Sequence, residues 1–140
     1  MTNSETSTSP AQPATAAPAS AMALLAPAIG WLVPGAGHLI QKRWIRGLLI
    51  MASIGIMFAL GLAMNGKIYK PNTGDLLDIL GFVGDVGSGG LYILGRMQEW
   101  GGTAIVDAAA DYGTKFIVVA GLLNVMCMVD AYHIAIGKKP

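Results

Sequence analysis

Charge is what this sequence has least of. Only 12% of its 140 residues are Asp, Glu, Lys or Arg, 54% are hydrophobic, and the mean hydropathy is +0.56. A soluble domain usually carries about twice that charged share. A chain so poor in charge has to set most of its surface against lipid or partners. The net charge is +1 and the nine Lys and Arg are split among separated sites, which argues against a nucleic-acid partner. Such binding needs several phosphate-neutralising cations on one face. Cysteine is nearly absent as well. Cys127 stands alone inside an apolar run, so it forms no internal disulfide and acts as a small hydrophobe. The glycines at 81, 84, 87, 89 and 90 lack the Gly-Lys-Ser/Thr ending of a phosphate loop and miss the dinucleotide spacing. No Ser-His-acid arrangement and no second helical carboxylate motif is present. We therefore expect no enzyme, no cofactor and no metal.

What the chain does have is uncharged apolar length. Residues 1–20 are rich in Ser, Thr, Ala and Pro, too polar to offset their ordering entropy, and are expected to be a disordered tail. Residues 21–140 are expected to form one helical membrane domain. Its first run, 21–40, is long enough to span a hydrocarbon core of about 30 Å. Pro27 and Pro34 interrupt it, so it is either a kinked span or a short helix ending at Pro34-Gly35. We favour the break at Pro34, with the chain helical again by Gln41 to Arg46. The second run, 47–66, is the clearest spanning helix. Trp44 and Tyr69 lie near its ends as interfacial aromatics, and Ala52, Gly55 and Ala59 mark a face open to close helix contact.

Residues 75–100 are mostly apolar but carry Asp78 and Asp85. Asp78, Gly81, Asp85 and Ser88 fall on one helical stripe, away from Leu77, Leu80, Val83 and Val86. We expect an amphipathic section lying at the membrane surface and broken near Gly87–Gly90; the rival is a spanning or re-entrant segment, which would take two carboxylates to depth. The last helix is expected over 116–137. The fold class is thus an all-α integral membrane protein with about three membrane helices plus an amphipathic interfacial helical section.

Lys42, Arg43 and Arg46 cluster in the turn Pro34–Gly47, and Lys138 and Lys139 follow the last helix. The positive-inside bias puts both at the cytoplasmic face, and with them the C-terminus. Asp130 and His133 lie one turn apart at that same level, as do His38, Arg43 and Arg46. An unpaired carboxylate at depth is expensive, so Asp130 is expected to pair with Arg43, Arg46 or His38. Asn124, nearly two turns deeper, is placed to bond between helices. We read these six residues as a polar clamp and Pro34, Gly35, Gly37 and Gly47 as its turn.

Pro34-Gly35-Ala36-Gly37-His38-Leu39, followed by Arg46-Gly47-Leu48-Leu49, resembles the signature of TM2-like small bacterial membrane proteins. The ending Gly121-Leu-Leu-Asn124, then Val129-Asp130-Ala131-Tyr132 and Gly137-Lys138, resembles the Asp-bearing last helix of that group. Ile40 stands where the signature has an aromatic, and Lys42 where it has glycine. More closely, the chain after its tail is similar to an uncharacterised bacterial family of about this size. The resemblance implies a multi-pass protein of the bacterial inner membrane and carries over no catalytic residue. The function expected is a non-enzymatic membrane protein whose partners are the lipid bilayer and a homo-oligomer or larger membrane complex. A small transporter or channel component using Asp130 and His133, and lipid or envelope sensing through the amphipathic section, are the alternatives.

Overall fold

The computed structural model describes residues 17–71 and 74–138. The expected tail lies outside the described residues up to position 16, while 17–20 are already helical. Six helices follow in order: α1 (Ala17–Leu32), α2 (Ala36–Ile40), α3 (Trp44–Ala63), α4 (Leu76–Gly87), α5 (Gly90–Met97) and α6 (Ala108–Ala135). Among the described residues there is no strand, only a single bridge between Lys67 and Gly102. Two helices, α3 and α6, are long and apolar enough to cross a membrane; α4 and α5 qualify only if taken together, and they are bent by 109°.

The helix boundaries have local causes. Pro27 sits inside α1 without ending it, whereas Pro34 and Gly35, with φ of 81°, do end the first run. The chain is helical again from Ala36, but Gln41 to Arg43, expected to be helical, form the turn into α3, which starts at Trp44. The last helix begins eight residues before the expected position 116, because the Asp107 carboxylate caps it by accepting from the Ala110 N–H at 2.8 Å. Asp75 caps α4 in the same way.

The α6 helix is the central post, with α1, α3 and α4 packed against it. Close approaches give the directions. Gly61 of α3 lies against Gly113 and Ile117, so α3 runs antiparallel to α6. Gly37 lies against Ala26 and Ala131, and the Trp31 carbonyl is bonded by Asn124, so α1 also descends antiparallel to α6 and stops near its middle. The chain then turns and returns through α2 to the level of Asp130. The α4 helix starts beside Lys67, passes Val118 at Gly84 and reaches Gly121 at Gly87. After the bend, α5 leads back to Gly102, whose N–H donates to the Gly66 carbonyl at 3.0 Å. Both ends of the α4–α5 segment therefore sit at one end of the bundle.

The result is two helical hairpins that enter from opposite ends and meet tip to tip beside α6. Each half of the chain has the same order, a broken hairpin and then a long helix, with its direction reversed. Val33, Gly37, Ile40 and Arg43 recur at the same spacing as Val86, Gly90, Ile93 and Arg96. The tips touch closely: a Cβ on Gly89, which has φ of 59°, would lie 1.7 Å from the Trp31 carbonyl oxygen. Only glycine fits both that backbone and that gap.

One expectation is reversed. The polar stripe of α4 faces inward rather than outward. Asp85 and Ser88 are fully buried and Gly81 lies under the Tyr69 ring, while Leu77, Leu80 and Val83 are exposed. The period of the pattern was readable, but a moment does not say which medium lies outside.

Candidate functional site

The interior polar side chains gather at three levels along α6. At the end formed by its last turns, His38 Nε2 is 3.1 Å from Asp130 Oδ2 and Arg46 Nη1 is 3.6 Å from the same oxygen. Gln41 Nε2 donates to the Ala131 carbonyl at 2.7 Å. His38 is 1% exposed, while Arg46 is half exposed, so the histidine contact is the energetically serious one. These bonds tie the return arm of the first hairpin to the post. Arg43 is brought to this end by the same turn, at the N-cap of α3, beside Lys42 and Arg46. His133 lines a shallow groove with Asp130 and Cys127, and its ring lies beside Tyr132 at 5.9 Å.

Asn124 belongs to a separate, deeper junction. It is fully buried, and its amide nitrogen donates to the Trp31 carbonyl at 3.3 Å and to the Gly87 carbonyl at 3.0 Å. Two carbonyl acceptors fix which way the amide points. Trp31 Nε1 donates in turn to the Val86 carbonyl at 2.9 Å. The tips of both hairpins are thereby joined to each other and to α6. Trp31 was not singled out from sequence; a tryptophan one position from the end of an apolar run reads as an interfacial anchor.

The third level holds the second hairpin. Asp85 Oδ2 accepts from the Tyr69 N–H at 2.7 Å, the Ser88 hydroxyl donates to the Asp85 carbonyl, and the Tyr92 hydroxyl donates to the Tyr69 carbonyl at 3.3 Å. Thr114 accepts from the Lys67 N–H at 2.8 Å and donates to the Ala110 carbonyl. Tyr69 lies in the connector between α3 and α4, and burial pushes its phenol above the usual tyrosine range.

Each level thus joins elements distant in sequence, although Gln41 Oε1, Asp85 Oδ1 and Asn124 Oδ1 are buried there without a partner. Among the described residues, no three His, Cys, Asp or Glu side chains gather as a metal site would require. The expected clamp residues therefore divide. His38, Arg46 and Asp130 meet, Asn124 joins the hairpin tips, and Arg43 and His133 stand beside the first group.

A double-mutant cycle tests the first junction. His38→Ala alone and Asp130→Asn alone should each lower stability by about 1–2 kcal/mol, and the double variant should cost clearly less than their sum. Equilibrium unfolding in detergent measures this, and strict additivity would mean that the contact carries no coupling.

No curated protein and no solved structure matches the chain. A family model does match, over residues 25–140, which takes in everything from the middle of α1 onward, including both long helices and all three polar levels. The chain belongs to that family, described as a family of unknown function (DUF6677).

Proposed function

We infer that the protein is a non-enzymatic integral membrane protein of the bacterial cytoplasmic membrane. Its spanning helices are α3 and α6, and the two hairpins are re-entrant elements dipping in from opposite faces. The observation that supports this reading is the inverted placement of polarity. His38, Asp85, Ser88, Thr114 and Asn124 are buried, while Ile45, Leu48, Leu49, Ile56, Leu80, Val83, Leu122 and Met126 are exposed. In water such a surface would aggregate. In hydrocarbon it is the favoured arrangement, because polar groups must find partners inside the protein. Lys42, Arg43, Arg46 and Lys138 then mark the cytoplasmic end.

The topology has a direct test. With Cys127 replaced by Ala, single cysteines at Ala21, Thr73 and Lys138 are labelled with a membrane-impermeant maleimide in intact and lysed cells. A re-entrant first hairpin puts Ala21 and Lys138 on the inside and Thr73 on the outside. Labelling of Ala21 from outside would mean that the first run crosses after all.

Within the membrane we assign the protein a packing role, in a homo-oligomer or as an accessory subunit of a larger complex. The outward face of α3 supports it: Ala52 and Ala59 are exposed, and a Cβ on Gly55 would meet nothing within 4 Å. A face of small residues lets a neighbouring helix approach closely. Extraction in a mild detergent should give a multimer or a co-purifying membrane protein, and Gly55→Leu should dissociate it. A bare monomer would overturn this role.

A second reading, a small transporter or channel component, is favoured by one observation. Two interrupted helices meet at Asn124 from opposite ends, the arrangement in which transporters build midplane sites. It requires a solute flux in proteoliposomes that Asn124→Leu removes while the protein remains folded.

A further inference from the structure

We propose that the cavity at the Lys67 end of the bundle binds a phosphoethanolamine group, with the phosphate on Lys70 and Arg96 and the ammonium on Glu99. The cavity measures 620 Å³ and is lined by three segments: the connector at Lys67 and Lys70, α4 at Asp78, and the exit of α5 at Arg96, Glu99 and Trp100. A phosphodiester headgroup fits easily within that volume.

Its charges are of both signs and only partly matched. Lys67 Nζ is 3.4 Å from Asp78 and lies over the Tyr69 ring at 4.6 Å, so that cation is used. Lys70, Arg96 and Glu99 make no ion pair among the described residues. Two cations and one carboxylate facing a common space match a zwitterion that carries an anionic phosphate at one end and an ammonium at the other.

A second, independent observation concerns the backbone. Glu99 has φ of 53°, in the left-handed region, directly after the C-cap of α5. Glycine is the usual residue there, because a Cβ crowds the following carbonyl in that conformation; Lys42 and Asn65 take it at other turns. The turn is held in place by the Trp100 N–H donating to the Gly95 carbonyl at 2.8 Å and by the Lys67–Gly102 bridge. A glutamate at a glycine position places a carboxylate on the cavity wall at a cost in strain. Such strain gathers where a side chain is needed.

The same chemistry has two sources, a phospholipid and a water-soluble phosphodiester. The lipid source rests on the membrane reading above; the binding chemistry does not. Trp100 and Met97, both exposed on the same turn, supply an interfacial rim.

The test is native mass spectrometry of the full-length, delipidated protein in detergent, with defined lipids added. Phosphatidylethanolamine should be retained about tenfold over phosphatidylcholine, whose quaternary ammonium has no N–H to donate. Lys70→Gln and Arg96→Gln should each weaken retention of both lipids about tenfold. Glu99→Gly should erase the preference between the lipids while raising thermal stability, because it relieves the left-handed strain. That variant separates loss of binding from loss of fold. Equal retention of the two lipids by the wild type, or a preference that survives in Glu99→Gly, overturns the proposal. Glycerophosphoethanolamine decides the source: full competition at equal concentration assigns the site to soluble phosphodiesters, and no competition assigns it to lipid. If the topology experiment fails but soluble headgroup still binds, only the membrane reading is lost.

Discussion

Replacing Gly121 by alanine should destabilise the protein by on the order of 3 kcal/mol and separate α4 from α6. A Cβ there would lie 1.8 Å from the Gly84 carbonyl oxygen and 3.0 Å from the Ser88 nitrogen. Both are backbone atoms, so no rotamer change makes room. The second hairpin would have to lift off the post as a unit, which also stretches the Asn124 bond to Gly87. Facing glycines at 84, 87 and 121 are what allow this contact, and small residues govern helix approach in lipid. Thermal unfolding in detergent reads the loss. Gly55→Ala is the matched control: within the protomer the added methyl meets nothing, it matches its neighbours Ala52 and Ala59, and alanine gains up to about 1 kcal/mol of helix propensity. If both variants unfold at the wild-type temperature, the helices are not in contact as described.

The second large effect is expected at Asn124. Asn124→Leu keeps the volume and removes both donors, leaving the Trp31 and Gly87 carbonyls unpaired in a dry interior. Each orphaned acceptor costs about 1–3 kcal/mol. The loss is partly offset, because Asn124 Oδ1 is itself buried without a partner. A net destabilisation of about 2 kcal/mol follows. Asn124→Asp should be worse, since a carboxylate offers no donor and would face two carbonyl oxygens. Hydrogen exchange at the tip amides of Gly89 and Leu91 should speed up in parallel with the loss of stability. Protection that persists in Asn124→Leu would show that the tips hold together without it.

How far the sequence reached can be argued from particular residues. The long apolar runs and the break at Pro34-Gly35 were legible because hydrophobic length and proline chemistry are local. The meeting of His38 and Arg46 with Asp130 was legible from position along the chain: polar residues near the same ends of neighbouring apolar runs had few other partners to choose from. The start of α6 was missed, although Asp107 before Ala108-Ala109-Ala110 is a readable N-cap signal. The inward stripe of α4 was not legible, because periodicity gives a face without a direction. The tip-to-tip contact was not legible either. It depends on glycines whose meaning appears only when a backbone lies against them, and on the echo of Val33, Gly37, Ile40 and Arg43 in the second half, which is short and easily passed over.

The long reach of the polar bonds has a consequence for how the protein is made. His38 waits for Asp130, 92 positions later, Gln41 for Ala131, 90 positions later, and Trp31 for Val86, 55 positions later. A ribosome delivers the first hairpin well before any of these partners exist. Until those partners emerge, its buried groups have only water or transient partners to bond with. The nascent chain therefore cannot settle helix by helix. The first half stays provisional, and it is the final helix that lets it take its resting place.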